Sequence, residues 1–215
     1  MALPIMIKVQ DVILDYLRRR GRGKVYTSKD LAHLGSRAAI DQTLSRLARD
    51  GTLQRLARGL YYYPRTNARL DMVVSPNAEE IADALARQTG SRIAPSGALA
   101  ANRLGLSTQV PAKHVYLTDG RSREVQVGNQ VFAMKHVAPK ELPIGNPVSA
   151  AVFQALRYLG SDSIDDTVIS RLRRHLSTKQ RRQLLRDARY TTGWIADIVR
   201  KIGAGDRVEE VVTDG

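Results

Sequence analysis

The sequence contains no cysteine, which excludes disulfide bonds, thiolate metal ligands and a cysteine nucleophile. It also has no run near the roughly 18 consecutive apolar residues that a membrane span needs. Lys8, Asp11 and Asp15 interrupt the apolar start of the chain, where a signal peptide would keep an unbroken apolar core. We therefore expect a cytoplasmic protein with no membrane partner.

Sequence signatures of catalysis are also missing. The four histidines do not stand at metal-ligand spacing from one another. The chain contains neither a Walker A motif nor the Gly-x-Ser-x-Gly motif of a serine nucleophile. Asp165 and Asp166 are adjacent, but they follow Ser163 at a predicted helix start, where carboxylates favour the helix dipole. We expect no catalytic residues, no metal ligands and no cofactor, and hence a protein that is not an enzyme.

Basic residues, by contrast, are in excess. The 34 lysines and arginines against 21 acidic residues give a formal net charge of +13 and a pI near 10.4. Residues 1–72 contain 14 basic and 6 acidic residues, whereas residues 73–146 contain 8 and 6, and residues 147–215 contain 12 and 9. The excess is therefore concentrated at the front of the chain. We expect a polyanionic partner there, with nucleic acid as the first candidate.

The first predicted element is an amphipathic helix. Apolar residues recur at helical spacing from Val9 to Leu17, and the pattern ends in three arginines at 18–20 followed by Gly21. These arginines suit the negative end of the helix dipole, and they equally suit contact with phosphate. Both roles stay open for them.

A helix-turn-helix follows this first helix. Thr27 and, three residues later, Asp30 form a capping-box pattern that opens a short helix. A glycine turn comes next, and Ser36 caps a second helix that runs to Asp50, directly before another glycine. The sequence therefore predicts two helices joined by a tight turn.

The second helix of this pair has two different faces. Four residues fall on one face at about 100° per residue and are expected to pack inward: Ile40, Thr43, Leu44 and Leu47. The other face and its flanks carry Arg37, Ala38, Asp41, Gln42, Ser45, Arg46 and Arg49. Gln pairs bidentately with adenine, Arg pairs with guanine, and Ala contacts the thymine methyl group. An ordinary solvated helix face would look similar, so the helix alone does not establish DNA binding.

A predicted hairpin after this helix strengthens the DNA-binding interpretation. Two β-prone runs, 53–56 and 60–63, are joined by a turn at 57–59, with Arg65 shortly after them. Arg55, Arg58 and Arg65 would lie along this wing, where guanidinium groups reach phosphates or the minor groove. The order of elements predicts a winged helix-turn-helix, although such a domain can also serve protein contact alone. The predicted DNA-binding residues are Ser36, Arg37, Ala38, Gln42, Ser45, Arg46, Arg49, Arg55 and Arg58.

The remainder of the chain predicts an α+β part and then a helical part. Residues 64–76 resemble a linker, and residues 142–147 form a second boundary. Helices are predicted at 77–88, 96–104, 148–159, 164–174, 178–188 and 192–202, and strands at 115–118, 124–127 and 130–137. Gly128 and Asn129 form a two-residue turn that predicts a hairpin of the last two strands, and Ser177 with Gln180 forms another capping box. The predicted fold class is α+β, mostly α. The predicted domains are a winged helix-turn-helix at 1–70 and a second domain at 74–215, divided into an α+β part (74–146) and a helical part (147–215).

Three stretches together resemble a known family. The wing RLARGLYYYPR, the segment SGALAANRLGLSTQVPAKHVYLTDGRSR and the helical tail are similar to antitoxins of the abortive-infection AbiE type, AbiEi. The resemblance covers nearly the whole chain, and LGLSTQVP followed by YLTDGRSR is its most specific part. It implies a bacterial type IV toxin–antitoxin system active in phage defence. In that family the N-terminal domain represses its own operon, and the C-terminal part neutralises a nucleotidyltransferase-like toxin.

The resemblance also implies sites and partners. It places six of the residues above at DNA-contacting positions: Arg37, Gln42, Ser45, Arg46, Arg55 and Arg58. The implied partners are double-stranded operator DNA, as an inverted repeat, and the cognate toxin. Type IV antitoxins are generally thought to act without a stable toxin complex, so direct contact with the toxin stays open. Two alternatives are a stand-alone winged-helix regulator and a module that docks protein or RNA without sequence-specific DNA binding.

Overall fold

The computed structural model describes residues 8–139, 141–143 and 145–204. These residues divide into two compact units. The first unit holds the described residues up to Arg92 together with Val125–Gln130. The second holds Ile93–Glu124 and the described residues from Val131 onward. The fold is α+β and mostly helical, as predicted.

The first unit has the element order of a winged helix-turn-helix. Its elements are α1 (Val9–Arg20), β1 (Lys24–Tyr26), a 3-10 helix (Ser28–Leu34), α2 (Arg37–Arg49), β2 (Gln54–Ala57), β3 (Leu60–Tyr63), β4 (Arg65–Asn67), β5 (Met72–Val74) and α3 (Ala78–Thr89). The first three strands form an antiparallel sheet in the order β1-β3-β2, and β4 pairs with β5. This unit continues past the predicted boundary at residues 70–74.

The predicted helix boundaries in this unit have identifiable causes. The backbone N–H of Thr27 donates to the Asp30 carboxylate at 2.8 Å, and this contact opens the 3-10 helix. The Ser36 hydroxyl accepts from the backbone N–H of Ala39 at 3.3 Å and so caps α2. Gly51, just beyond α2, has a φ of 80°, a left-handed conformation that glycine adopts without strain.

The core of the first unit lies under the inward face of α2. Ile40 and Leu44 of α2 are fully buried, together with Ile13 and Leu17 of α1 and Leu31 of the 3-10 helix. Full burial of such a side chain contributes about 1.5–3 kcal/mol to folding. The predicted inward face of α2 is confirmed, and its burial fixes which side chains point outward.

One predicted feature of the first unit is wrong. Residues 64–76 do not form a linker, because Arg65–Asn67 and Met72–Val74 pair as antiparallel strands. The Tyr62 hydroxyl donates to the carbonyl oxygen of Val74 at 2.7 Å and holds this hairpin against β3. Three of its apolar side chains are exposed: Leu70, Met72 and Val73.

The second unit combines a sheet with a helical layer. Its elements are β6 (Ile93–Pro95), α4 (Gly97–Arg103), β7 (His114–Thr118), β8 (Arg123–Val127), β9 (Gln130–His136), α5 (Pro147–Leu159), a 3-10 helix (Ser161–Ser163), α6 (Asp166–His175), α7 (Thr178–Asp187), a 3-10 helix (Ala188–Tyr190) and α8 (Gly193–Gly203). Both β8 and β9 include residues that the division assigns to the first unit. The strand order is β6-β7-β9-β8, with β7 and β9 parallel. The predicted β8–β9 hairpin and the four C-terminal helices are confirmed, whereas β6 was not predicted.

The helices of the second unit share one core. Phe153, Leu172, Leu184 and Ile195 come from four different helices and are at most 1% exposed. α4 packs closely on α5 at Gly97, where an added Cβ would lie 2.5 Å from the Cβ of Tyr158. A glycine is therefore required for the approach of these two helices.

Candidate nucleic-acid interface

Exposure of the predicted DNA-binding residues is the first property of the candidate interface. α2 buries one face, as described above, and its opposite face is open to solvent. The nine predicted residues are all exposed: Ser36, Arg37, Ala38, Gln42, Ser45, Arg46, Arg49, Arg55 and Arg58. Seven of these residues belong to α2 or its N-cap, and the other two lie on the β2–β3 hairpin. The first unit therefore exposes the predicted DNA-binding residues on α2 and on the hairpin that directly follows it in the sequence.

Two of the nine residues already have partners within the chain. The Ser36 hydroxyl is occupied as the helix cap. The Arg37 Nε donates to the Asp41 carboxylate at 2.8 Å, one turn further along α2. Asp41 also accepts a hydrogen bond from the Ser28 hydroxyl, and this bond, followed by those from Arg37, lowers the pKa of Asp41 below its ordinary value. The carboxylate stays charged at neutral pH and offsets the charge of Arg37.

The other polar residues of the predicted set on α2 are unengaged. Gln42, Ser45, Arg46 and Arg49 make no side-chain hydrogen bond or ion pair with any residue that the structure describes. Their donors and acceptors are therefore satisfied by solvent in the free protein. Arg and Gln side chains on one exposed helix face can form bidentate hydrogen bonds with base edges without first breaking an internal contact.

The wing is a short, irregular hairpin. β2 and β3 pair with a register shift between Arg55 and Ala57, and Arg58 and Gly59 form the turn. Gly59 has a φ of 70°, as the turn requires. The side chains of Arg55 and Arg58 both project into solvent, where guanidinium groups can reach phosphate oxygens.

α3 holds the wing turn in place, which the sequence did not reveal. The side-chain Nε2 of Gln88 in α3 donates to the backbone carbonyl of Arg58 at 3.0 Å. A Cβ on Gly59 would lie 2.9 Å from the same Nε2 atom. The contact spans 30 residues of sequence, so no local pattern could predict it. It fixes the backbone of the turn and leaves the Arg58 side chain outside.

Three arginines near the end of α1 and on the second hairpin lie on other exposed surfaces of the first unit. Arg22 donates to the carbonyl oxygen of Pro64 at 3.0 Å and lies over the ring of Tyr63 at 4.6 Å. Arg65 and Arg69 of the β4–β5 hairpin are both exposed. Of these, Arg65 was predicted to lie along the wing, but it belongs to β4.

Among the described residues, no group of three His, Cys, Asp or Glu side chains could hold a metal ion. Two of the four histidines contact aromatic rings: the His33 ring contacts Tyr16, and the His114 ring stacks on Phe132. Within the same residues, no helix has the length and apolar character needed to cross a membrane.

Comparison with known proteins gives a family for the chain. No curated protein matches it. A family model described as a family of unknown function, DUF6088, matches residues 12–184. The match extends from α1 to α7 and so includes the candidate interface and most of the second unit. The chain therefore belongs to the family of unknown function DUF6088.

Proposed function

We propose that this protein binds double-stranded operator DNA, with α2 in the major groove and the β2–β3 wing on the flanking backbone. The observation that carries this proposal is the outward face of α2. Gln42, Ser45, Arg46 and Arg49 are exposed and unengaged among the described residues, while the opposite face is locked into the core. The buried face fixes the position and rotation of the helix, and therefore the direction in which the exposed side chains leave its backbone, which favours readout of base edges.

Charge supports the same proposal. Residues 1–72 contain 14 of the 34 basic residues and only 6 of the 21 acidic residues. Cations that release counterions from phosphates supply much of the affinity of a protein for DNA and make it salt-dependent. Arg55 and Arg58 on the wing suit this role, because a hairpin beside the recognition helix meets the backbone rather than the base edges.

We further propose that the protein is a cytoplasmic, non-enzymatic antitoxin of a bacterial type IV system and represses its own operon. The support is the resemblance to AbiE-type antitoxins, whose most specific stretches run from Leu104 to Arg123 and lie in the second unit. In this proposal the first unit provides autoregulation, and the second unit counteracts a nucleotidyltransferase-like toxin. An inverted repeat in the upstream DNA would be the operator.

Titration of labelled duplexes tests the DNA-binding proposal. The purified chain is titrated by fluorescence anisotropy against its own upstream region and against a scrambled duplex, at about 50 and 200 mM salt. We expect the upstream DNA to be preferred and the preference to persist at the higher salt. Equal binding to both duplexes that disappears with salt would contradict sequence-specific binding and favour the docking-module alternative.

Two substitutions separate base readout from backbone contact. Gln42→Ala is expected to weaken binding to the upstream duplex by about 1–3 kcal/mol and to reduce the preference over scrambled DNA. Arg58→Ala is expected to weaken binding to both duplexes similarly and to lower the salt slope by about one. Equal losses on both duplexes for Gln42→Ala would remove this residue from base readout.

Co-expression tests the antitoxin proposal. The full chain and a version cut after Arg92, where the first continuous segment of the first unit ends, are each expressed with the neighbouring toxin. The full chain is expected to restore growth, and the truncated chain is expected only to repress the operon. Repression without rescue by the full chain would indicate a stand-alone regulator.

A further inference from the structure

α3 contacts both the helix-turn-helix and the wing through two adjacent side chains of its last turn. The side-chain Nε2 of Gln88 donates to the backbone carbonyl of Arg58, in the wing turn, at 3.0 Å. Arg87 pairs with the carboxylate of Asp30, in the first helix of the helix-turn-helix, at 2.9 Å. Its guanidinium also donates to the carbonyl oxygen of Val25 at 2.9 Å. The helix-turn-helix and the wing are thus joined through residues that belong to neither.

α3 is itself anchored in the first unit. Ile81 and Leu85 on its inner side are at most 1% exposed. Near its start, Glu80 pairs with Lys24 of β1 at 2.7 Å. Gly90 ends the helix with a φ of 74°, the left-handed conformation that commonly closes a helix. The last turn of α3 therefore offers a fixed backbone from which its side chains reach the wing.

The hairpin alone gives the wing turn little regular support. β2 is the edge strand of its sheet, and its register with β3 shifts between Arg55 and Ala57, directly before the turn. A shift of this kind interrupts the ladder of hydrogen bonds locally. The bond from Gln88 reaches the backbone of the turn beyond this interruption. Gly59 has no side chain to hold the amide away, since a Cβ there would lie 2.9 Å from Nε2.

The position of the wing turn decides whether the exposed Arg58 side chain can reach a phosphate. A guanidinium contact with a phosphate oxygen needs a separation of about 2.7–2.9 Å. A turn that is fixed before binding loses less conformational entropy when the contact forms. Without its external contact, the turn would sample more positions, and only a fraction of them would be competent for binding.

We infer that Gln88 is a positioning residue for the wing, which raises the affinity for DNA through Arg58 without contacting the DNA. Its neighbour Arg87 fixes the same turn of α3 to the helix-turn-helix. The two side chains together set the distance between the recognition motif and the wing. The inference rests on the proposed function, and it adds to the DNA interface a residue that lies outside the exposed faces of α2 and the hairpin.

A double-mutant cycle on the full chain tests this inference. The unmodified chain, Gln88→Met, Arg58→Ala and the double variant are each titrated with the upstream duplex by fluorescence anisotropy, over a series of salt concentrations. Methionine keeps the length of glutamine but has no N–H donor. Gln88→Met is expected to weaken binding about three- to tenfold and to lower the salt slope, because Arg58 no longer holds its phosphate. In the Arg58→Ala background, the same change is expected to weaken binding less than about twofold.

Thr89→Ala is the matched control. The hydroxyl of this neighbouring residue bonds, among the described residues, to two carbonyls of α3 and to Ser91, so the variant is expected to bind like the unmodified chain. Thermal unfolding without DNA checks the fold, and the Tm of Gln88→Met is expected to stay within about 2 °C of the unmodified value. The cycle stays decisive if the Tm falls further, because a general loss of folding weakens binding equally in both backgrounds.

The outcomes separate this inference from the proposed function. Binding that Arg58→Ala weakens but Gln88→Met does not would overturn the inference alone. An equal loss from Gln88→Met with and without the Arg58 side chain would also overturn it, because Gln88 would then not act through Arg58. Failure of the unmodified chain to bind any duplex would overturn both the inference and the proposed function.

Discussion

α2 of the first unit and α7 of the second are built on the same plan. Each is a short amphipathic helix that buries a leucine completely, Leu44 in α2 and Leu184 in α7. Each also carries several basic residues: Arg37, Arg46 and Arg49 in α2, and Lys179, Arg181, Arg182 and Arg186 in α7. From composition alone, either helix is a reasonable candidate for binding a polyanion.

The two helices differ in what their arginines contact. In α7, Arg181 donates to the backbone carbonyls of Arg173 and Leu176, both at 2.8 Å, and Arg186 donates to Gln183. In α2, Arg46 and Arg49 have no partner among the described residues. Arg181 closes the end of α6, whereas Arg46 and Arg49 of α2 remain available. The contacts of an arginine, rather than its presence, therefore distinguish a binding face from a structural one.

The largest expected effect is the loss of stability when the buried leucine that each helix contains is shortened to alanine. Leu44→Ala and Leu184→Ala each remove a fully buried side chain and leave a cavity. Each is expected to lower the free energy of unfolding by about 2–5 kcal/mol. Chemical denaturation followed by circular dichroism measures both. A loss below 1 kcal/mol at either position would show that this helix is not anchored as described.

A smaller loss of stability is expected when α7 loses the arginine that contacts backbone carbonyls. Arg181→Ala removes the donor to two carbonyls and is expected to cost about 1–3 kcal/mol of stability while leaving DNA affinity unchanged. Lys179→Ala, on the exposed side of the same helix, is the control and is expected to change stability by less than about 0.5 kcal/mol. Equal stability of the two variants would contradict the structural role of Arg181.

Asp187 at the end of α7 makes the stability of the second unit pH-dependent. Burial raises the pKa of this carboxyl, but hydrogen bonds, led by that from the Asn146 backbone N–H at 3.0 Å, outweigh burial and lower the pKa below its ordinary value of 3.8. A lowered pKa in the folded state means that the stabilisation is present at neutral pH and is lost as the pH falls through the folded value.

Urea unfolding from pH 7 down to pH 3 measures this dependence. The unmodified chain is expected to lose more stability over this range than Asp187→Asn, in which the group no longer titrates. Asp162→Asn, on an exposed side chain of the same unit, is the control and is expected to follow the unmodified chain. Identical pH profiles for all three would rule out the contribution of Asp187.

The smallest expected effect is a gain in DNA affinity. Asp41→Asn removes a carboxylate from the exposed face of α2 and releases Arg37 from its ion pair. Exposed pairs of this kind contribute about 0.2–1 kcal/mol, and we expect DNA binding to strengthen by a similar amount. Anisotropy titration at low salt measures the change. Weaker binding by Asp41→Asn would place this carboxylate in direct base readout instead.

The sequence predicted those parts of the fold that local patterns specify. The 3.6-residue spacing predicted α1, the buried face of α2 and the C-terminal helices, and Gly128 with Asn129 predicted the β8–β9 hairpin. Capping residues predicted several helix starts, including that of α7, where Ser177 and Gln180 form the expected capping box. Each of these signals lies within a few residues of the element that it specifies.

The features that were missed lack such a local signal. β4 and β5 are three residues long, too short to show alternation, and Pro64 and Pro76 suggested a linker instead. β6 (Ile93–Pro95) is equally short and ends in a proline. The contacts of α3 with the rest of the first unit include ion pairs such as Lys24 with Glu80, 56 residues apart in sequence. Long-range pairing of this kind cannot be derived from periodicity.

For the candidate interface, the sequence identified which residues are exposed but not how they are engaged. All nine predicted residues lie on the surface. Amphipathic spacing identified the outward face of α2, and the predicted hairpin supplied Arg55 and Arg58. The hydrogen bond from Gln88 to the wing turn and the ion pair of Arg87 with Asp30 are properties of tertiary structure, and no motif indicated them.

The central claim is that α2, and not the more basic α7, binds DNA. The direct test is an anisotropy titration of the upstream duplex with three proteins: the unmodified chain, Arg46→Ala in α2 and Lys179→Ala in α7. We predict that Arg46→Ala weakens binding by about 1–3 kcal/mol and that Lys179→Ala binds like the unmodified chain. Loss of binding by Lys179→Ala with full binding by Arg46→Ala would contradict the claim.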